Sequence, residues 1–223
     1  TIKSVNSFSM PQANLTVLNG RLAVEAYSSM GYSENAIAEG EALRNNYLYD
    51  IKANSSPIIA RGAAIRVLIL GEGLPLGTIE MLQLLEAAVP LITSQVTFTM
   101  KPHPAYQVES LDYPSLNLEV TMDPLEEILG NYDVAYSTNL TSAVIDAYLV
   151  GLKAVVRLNE AGLNYCPLRG QPDVRFVSTP EELAEALQAK GQSTSNRPDS
   201  NDFFFLDPKL PRWQKLLEPV RQT

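Results

Sequence analysis

The chain contains one histidine, and the residues around it suit an imidazole held for use. In Lys101-Pro102-His103-Pro104 a proline stands on each side, restricting the backbone and aiming the ring, with an ammonium two residues away. An imidazole so placed can donate to a phosphate oxygen. A second cluster, Tyr136-Ser137-Thr138-Asn139-Leu140-Thr141-Ser142, brings four aliphatic hydroxyls and one amide to a helix start. Simple capping uses one hydroxyl. The surplus points to an anion held by Ser137, Thr138, Thr141 and Ser142, with help from unpaired N–H groups and the positive helix end. Asp146 lies four residues past Ser142 on the same helical face. It reads either as an acceptor for a pair of sugar hydroxyls or as a solvated helix acid. The third cluster is Gly71-Glu72-Gly73-Leu74-Pro75-Leu76-Gly77. Gly71 and Gly73 permit a tight turn and close approach of a phosphate to the backbone. An ordinary tight turn reads equally well. The third glycine falls one residue late for G-x-G-x-x-G, and no fingerprint acid stands about twenty residues on.

These clusters matter only if strands deliver them to one edge, because ligands of open parallel sheets sit beyond the carboxyl ends of the strands. The rhythm of the chain supplies those strands. A β-branched run at 65–70 precedes the glycines, and a helix is expected over 78–91. The strand at 96–100 ends on Lys101-Pro102-His103. A short strand is expected at 116–121, then a helix started by Asp123 as N-cap, Pro124 in the first turn and Glu126 for a capping box. Strand 133–137 delivers the hydroxyl cluster to helix 141–150. Strands follow at 153–158 and 175–178, and Thr179-Pro180-Glu181-Glu182 starts a last crossover helix. Mostly continuous apolar strands, each followed by an amphipathic helix, define a Rossmann-like open parallel sheet with helices on both faces.

Three segments follow. Residues 1–60 form a lead-in: an extended stretch over 8–18 interrupted by Pro11, a helix over 21–30 ending at Gly31, and a second helix capped by Ser33 that carries Ala36, Ile37, Leu43 and Leu48. Ala53-Asn54-Ser55-Ser56-Pro57 is a turn or linker. Residues 61–190 are the α/β domain. Residues 191–223 are a polar, flexible loop and a closing helix near Trp213, with Phe203-Phe204-Phe205-Leu206 requiring a surface to pack on.

Composition narrows the functions. A chain of 223 residues, 45% hydrophobic, buries a sizeable core. Its 17 Lys and Arg against 25 Asp and Glu exclude a nucleic-acid binder relying on broad phosphate neutralisation, while leaving room for one small anion. Cys166 stands alone, which excludes an intrachain disulfide and a multi-cysteine zinc site, and one histidine excludes a His-rich metal centre. No metal and no resident cofactor are therefore expected. No apolar run approaches the roughly 18–20 residues that cross a bilayer, and no signal peptide is visible at the start. The expectation is a cytoplasmic protein. Because the sequence begins at Thr1 instead of Met, it also reads as a piece of something longer.

Taken together, Lys101-Pro102-His103-Pro104, Tyr136-Ser137-Thr138, the Thr/Ser-rich helix start, Asp146 and Gly151-Leu152-Lys153-Ala154-Val155-Val156 resemble the C-terminal half of a GT-B glycosyltransferase. The relatives are bacterial surface-carbohydrate enzymes: capsule and lipopolysaccharide transferases, CDP-glycerol glycerophosphotransferases, and sialyltransferases with HP and SS/ST motifs. The resemblance spans about Ile65 to Lys190, with the lead-in as interdomain connection. It implies that the domain binds a nucleotide-activated sugar, or polyol phosphate, as donor. By the resemblance, Gly71, Gly73, Lys101, His103, Ser137, Thr138, Thr141 and Ser142 surround the donor phosphate, and Asp146 contacts the ribose. CMP- or CDP-linked donors come first and UDP-linked donors second. Thr138 replaces the second serine of the strict SS pattern, and Asp146 the more frequent Glu. The resemblance further implies a missing N-terminal domain that supplies the acceptor site and general base, and contact with the inner membrane through that half. The isolated chain is then not competent for transfer.

Two other classes compete. A UDP-sugar 2-epimerase-like enzyme shares the architecture but calls for more histidines and acids around the site. A non-catalytic α/β binding module, or a degenerate GT-B scaffold, needs no chemistry at all. A receiver-type module needs an acidic pair after the first strand, where Glu72 stands alone.

Overall fold

The computed structural model describes residues 13–54, 64–159, 162–171, 173–189 and 199–218. Along the chain run β1 (Thr16–Leu18), α1 (Arg21–Ser29), β2 (Ile37–Glu39), α2 (Tyr47–Asn54), β3 (Ile65–Leu70), α3 (Pro75–Ala88), β4 (Val96–Lys101), β5 (Glu119–Val120) and α4 (Leu125–Ile128). They are followed by β6 (Val134–Thr138), α5 (Ala143–Val150), β7 (Lys153–Arg157), β8 (Val174–Val177), α6 (Pro180–Gln188), α7 (Ser200–Phe203) and α8 (Pro211–Leu217). Two compact units emerge: the described residues through Tyr49 with those from Asp199 onward, and those from Asp50 to Ala189.

The larger unit holds a six-stranded sheet, order β5-β4-β3-β6-β7-β8, with every pairing parallel. This is the Rossmann-like architecture expected. Its strands are buried on both faces, so they lack polar alternation. Val67, Ile69, Phe98, Met100, Val134, Tyr136, Val155 and Val177 join Met81, Leu82 and Leu85 of α3 and Leu183 and Leu187 of α6 in one apolar cluster. The alternate residues Leu68, Leu70, Ala135, Ala154 and Val156 are also buried and point to the opposite face. The β3–β4 and β6–β7 connections run in opposite directions along the sheet. Right-handed crossovers therefore place α3 and α5 on opposite faces. Helix α5 is buried throughout from Val144 to Val150, as a helix apolar all round must be.

Most element positions agree with the sequence, and α6 starts with the expected capping box. Thr179 Oγ1 accepts from the Glu182 N–H at 3.2 Å, and Glu182 accepts from the Thr179 N–H at 3.3 Å. Asp123 departs from expectation. Thr121 captures it: the Thr121 hydroxyl donates to its carboxylate at 3.0 Å and accepts from its N–H at 3.2 Å. Helix α4 thus begins after Pro124 without a side-chain cap and lasts four residues. The strand expected over 116–121 shrinks to Glu119–Val120, because Pro114–Leu116 forms a 3-10 turn and Asn117 takes a left-handed φ of 45°.

The smaller unit corrects the lead-in. No helix starts at Ser33; a 3-10 turn, Glu34–Ala36, leads into β2, which pairs in parallel with β1. Long-range strand pairing overrides the local helical pattern. The partners come from the far end of the chain. Phe203 and Phe205 are buried here, the Phe205 N–H donates to the Asn19 carbonyl at 2.7 Å, and the Ala42 N–H donates to the Phe205 carbonyl at 2.9 Å. Glu41, 1% exposed, accepts the Arg212 and Trp213 N–H groups at 3.0 and 3.2 Å, so it caps α8 from the other end of the sequence. The Arg212 guanidinium lies 4.1 Å from the Phe205 ring centroid. Of the expected flexible loop, residues 191–198 lie outside the described residues, as do 1–12 of the extended stretch and 55–57 of the linker.

Candidate functional site

From β3 the chain steps to β4 and β5 on one side, then returns to β6 on the other. The carboxyl ends of β3 and β6 therefore flank the topological switch point, where a crevice opens in sheets of this order. Three of the clusters read from the sequence converge there.

After β3, Gly71 donates its N–H to the Lys101 carbonyl at 3.0 Å. A Cβ on Gly71 would stand 2.8 Å from Met100 Cε, and one on Gly73 3.1 Å from His103 Cε1. The space freed by both glycines is filled by the β4 exit. His103 thus lies over Gly73, exposed on its outer side. Its Nδ1 accepts the Ala105 N–H at 3.1 Å, which leaves Nε2 as the ring donor toward solvent. The Lys101 ammonium turns elsewhere, donating to the Met122 carbonyl at 3.2 Å beside β5.

Glu72 is the residue that sequence reasoning passed over. It is 6% exposed, and its Oε2 accepts the Thr138 hydroxyl, bridging the β3 and β6 exits. Its N–H donates to Thr78 Oγ1 at 3.1 Å, which fastens the first turn of α3 to the strand. The signal was a carboxylate between two glycines directly after the first strand.

Strand alternation divides the Ser137–Thr138 pair. Thr138 faces Glu72, whereas Ser137 faces the other side, fully buried, and its hydroxyl has no hydrogen-bond partner. Ser142 is the N-cap of α5, exposed, and makes no capping bond; Thr141 beside it is half-buried. Asp146 is 7% exposed, which removes its reading as a solvated helix acid. Arg157, paired in register with Thr138, is held by Glu80 of α3 at 2.8 Å.

The loop after β7 adds a cavity of about 380 Å³ lined by Leu163, Asn164, Tyr165, Cys166, Pro167 and Arg169. The Asn139 amide donates to the Leu163 carbonyl at 2.8 Å, tying this loop to the β6 exit. Burial pushes the Cys166 thiol up, so it is a packed group. Among the described residues, no three His, Cys, Asp or Glu side chains form a metal-ligand group, and no helix is long and apolar enough to cross a membrane.

No protein-family model matches the chain, and no curated protein matches it in sequence. Among solved structures it is similar to KpsC, a beta Kdo 2,7 transferase of Thermosulfurimonas dismutans. That likeness covers 72% of this chain and 71% of the other, at 10% identity and a TM-score of 0.40.

Proposed function

We propose that the unit from Asp50 to Ala189 binds a nucleotide-activated sugar at the switch point and serves as the donor half of a glycosyltransferase. One observation carries the reading: the single imidazole lies over Gly73 at the switch point with Nε2 turned outward, while the α5 start nearby keeps hydroxyls unused by capping. A departing phosphate needs its negative charge matched by donors already in place. His103 Nε2–H, the α5 N–H groups, Thr141 and Ser142 supply such donors without reorganisation. The sugar extends toward the cavity of the β7–β8 loop, where Tyr165 offers an exposed ring and Arg169 a guanidinium. Ser137 and Asp146 hold the α5 face from within. Lys101, tied beside β5, adds long-range positive charge. CMP- and CDP-linked donors are placed first and UDP-linked donors second, in surface-polysaccharide synthesis; the acceptor and its general base belong to a further domain.

Calorimetric titration of the chain with CMP, CDP, UMP, UDP, GDP and ADP tests this. A cytidine nucleotide binds, and His103→Ala and Ser142→Ala each weaken it, by about tenfold for the loss of one charge-assisted hydrogen bond. Absence of binding to every nucleotide refutes the donor site. Unchanged affinity in both variants moves the phosphate elsewhere.

A further inference from the structure

We infer that Glu72 sets the specificity of this site: its buried carboxylate occupies the first turn of α3 and turns away a second phosphate, favouring nucleoside monophosphate esters over diphosphates. The inference rests on the donor-site reading and adds to it the number of phosphates.

Two helix N-termini, those of α3 and α5, lead away from the switch-point strands, and in dinucleotide-binding sheets a pyrophosphate engages the one after the first strand. In this protein that end already carries an anion. Glu72 is 6% exposed and takes the Thr138 hydroxyl on Oε2. Its other oxygen lies against the bare Cα of Gly77, the third residue of α3: a Cβ there would fall 1.8 Å from Oε1 and 2.2 Å from Cδ. Glycine at 77 is what admits the carboxylate. Nothing else competes for the position, since Leu74 at the N-cap has no capping side chain and the first turn of α3 contains no other acid. The carboxylate is also fixed. Thr138 holds it from the neighbouring strand, and the Glu72 N–H is bonded to Thr78. A fixed negative charge in a mostly buried position is weakly screened, so it repels an incoming phosphate strongly. At the α5 start the exposed side chain is the neutral Ser142, and Asp146 is buried deeper in the helix. One phosphate is accepted there, and the second, directed at α3, meets Glu72.

The test is calorimetry on the whole chain with CMP against CDP and UMP against UDP, in the wild type, Glu72→Gln and Glu72→Ala. Gln keeps the size of the side chain and an acceptor for Thr138. The wild type prefers each monophosphate by about tenfold or more, and both variants lose that preference, chiefly by binding the diphosphate more tightly. The ratio is read within one preparation, so partial loss of folded protein cancels. A wild type that prefers diphosphates, or a ratio unchanged in both variants while nucleotides still bind, overturns the role of Glu72 and leaves the donor site standing. No nucleotide bound by any of the three proteins overturns both.

Discussion

Lys153 shows how a single residue records its surroundings. It opens β7, and its ammonium reaches the Ala186 and Ala189 carbonyls, the latter at 2.9 Å, where α6 leaves acceptors without partners. Burial, reinforced by Arg175 and opposed by Glu185, lowers its pKa to about 8. Between that value and the ordinary 10.5 the unfolded chain binds more protons than the folded one, so stability from this group rises with pH. Relative to Lys153→Met, the wild type gains about 1–2 kcal/mol from pH 8 to 10.5, after allowance for partial solvation. Urea unfolding of both proteins across that range measures it; parallel profiles refute it. At the same scale, His103 was legible because paired prolines around a lone histidine are a local signal. Glu72 was not, since only the Thr138 and Gly77 contacts distinguish it from a turn acid.

At the scale of elements, the strand-and-helix alternation of the larger unit was legible because each strand is apolar throughout and each long helix has its own start. Elements that owe their existence to a distant partner were not. Strand β2 exists because β1 pairs with it, and α8 docks on Glu41, its tertiary cap. Burial raises the Glu41 carboxyl, and the Arg212 and Trp213 N–H groups with the Arg212 guanidinium outweigh it, leaving the pKa below the ordinary 4.5. The unfolded state therefore binds the proton first as pH falls. The stabilisation is present above pH 4.5 and is lost below it, through the lowered folded value. Glu41→Gln loses about 1–3 kcal/mol at neutral pH, the cost of weakening a buried, charge-assisted cap, and flattens the acid limb of the stability curve. Retention of the full acid dependence in this variant would assign it to other carboxylates.

Across the whole molecule, two units with separate hydrogen-bonded interiors predict two calorimetric transitions. Glu41→Gln moves only one. Leu85→Ala, a truncation at a fully buried site of the α3–α6 cluster, moves only the other, by a destabilisation of about 2–5 kcal/mol. A single transition shifted by both substitutions would show that the units melt together. By itself, the sequence determined the parallel sheet, its strand order along the chain and the carboxyl-edge position of the glycine, histidine and hydroxyl clusters. Those depend on periodicity and capping within a few residues. Only the tertiary structure decided that Ser137 and Thr138 face opposite sides, that Asp146 is buried, that Lys101 leans to β5, and that Glu72 occupies the start of α3. Each of these is a contact between residues far apart in the chain, fixed by which strand lies beside which.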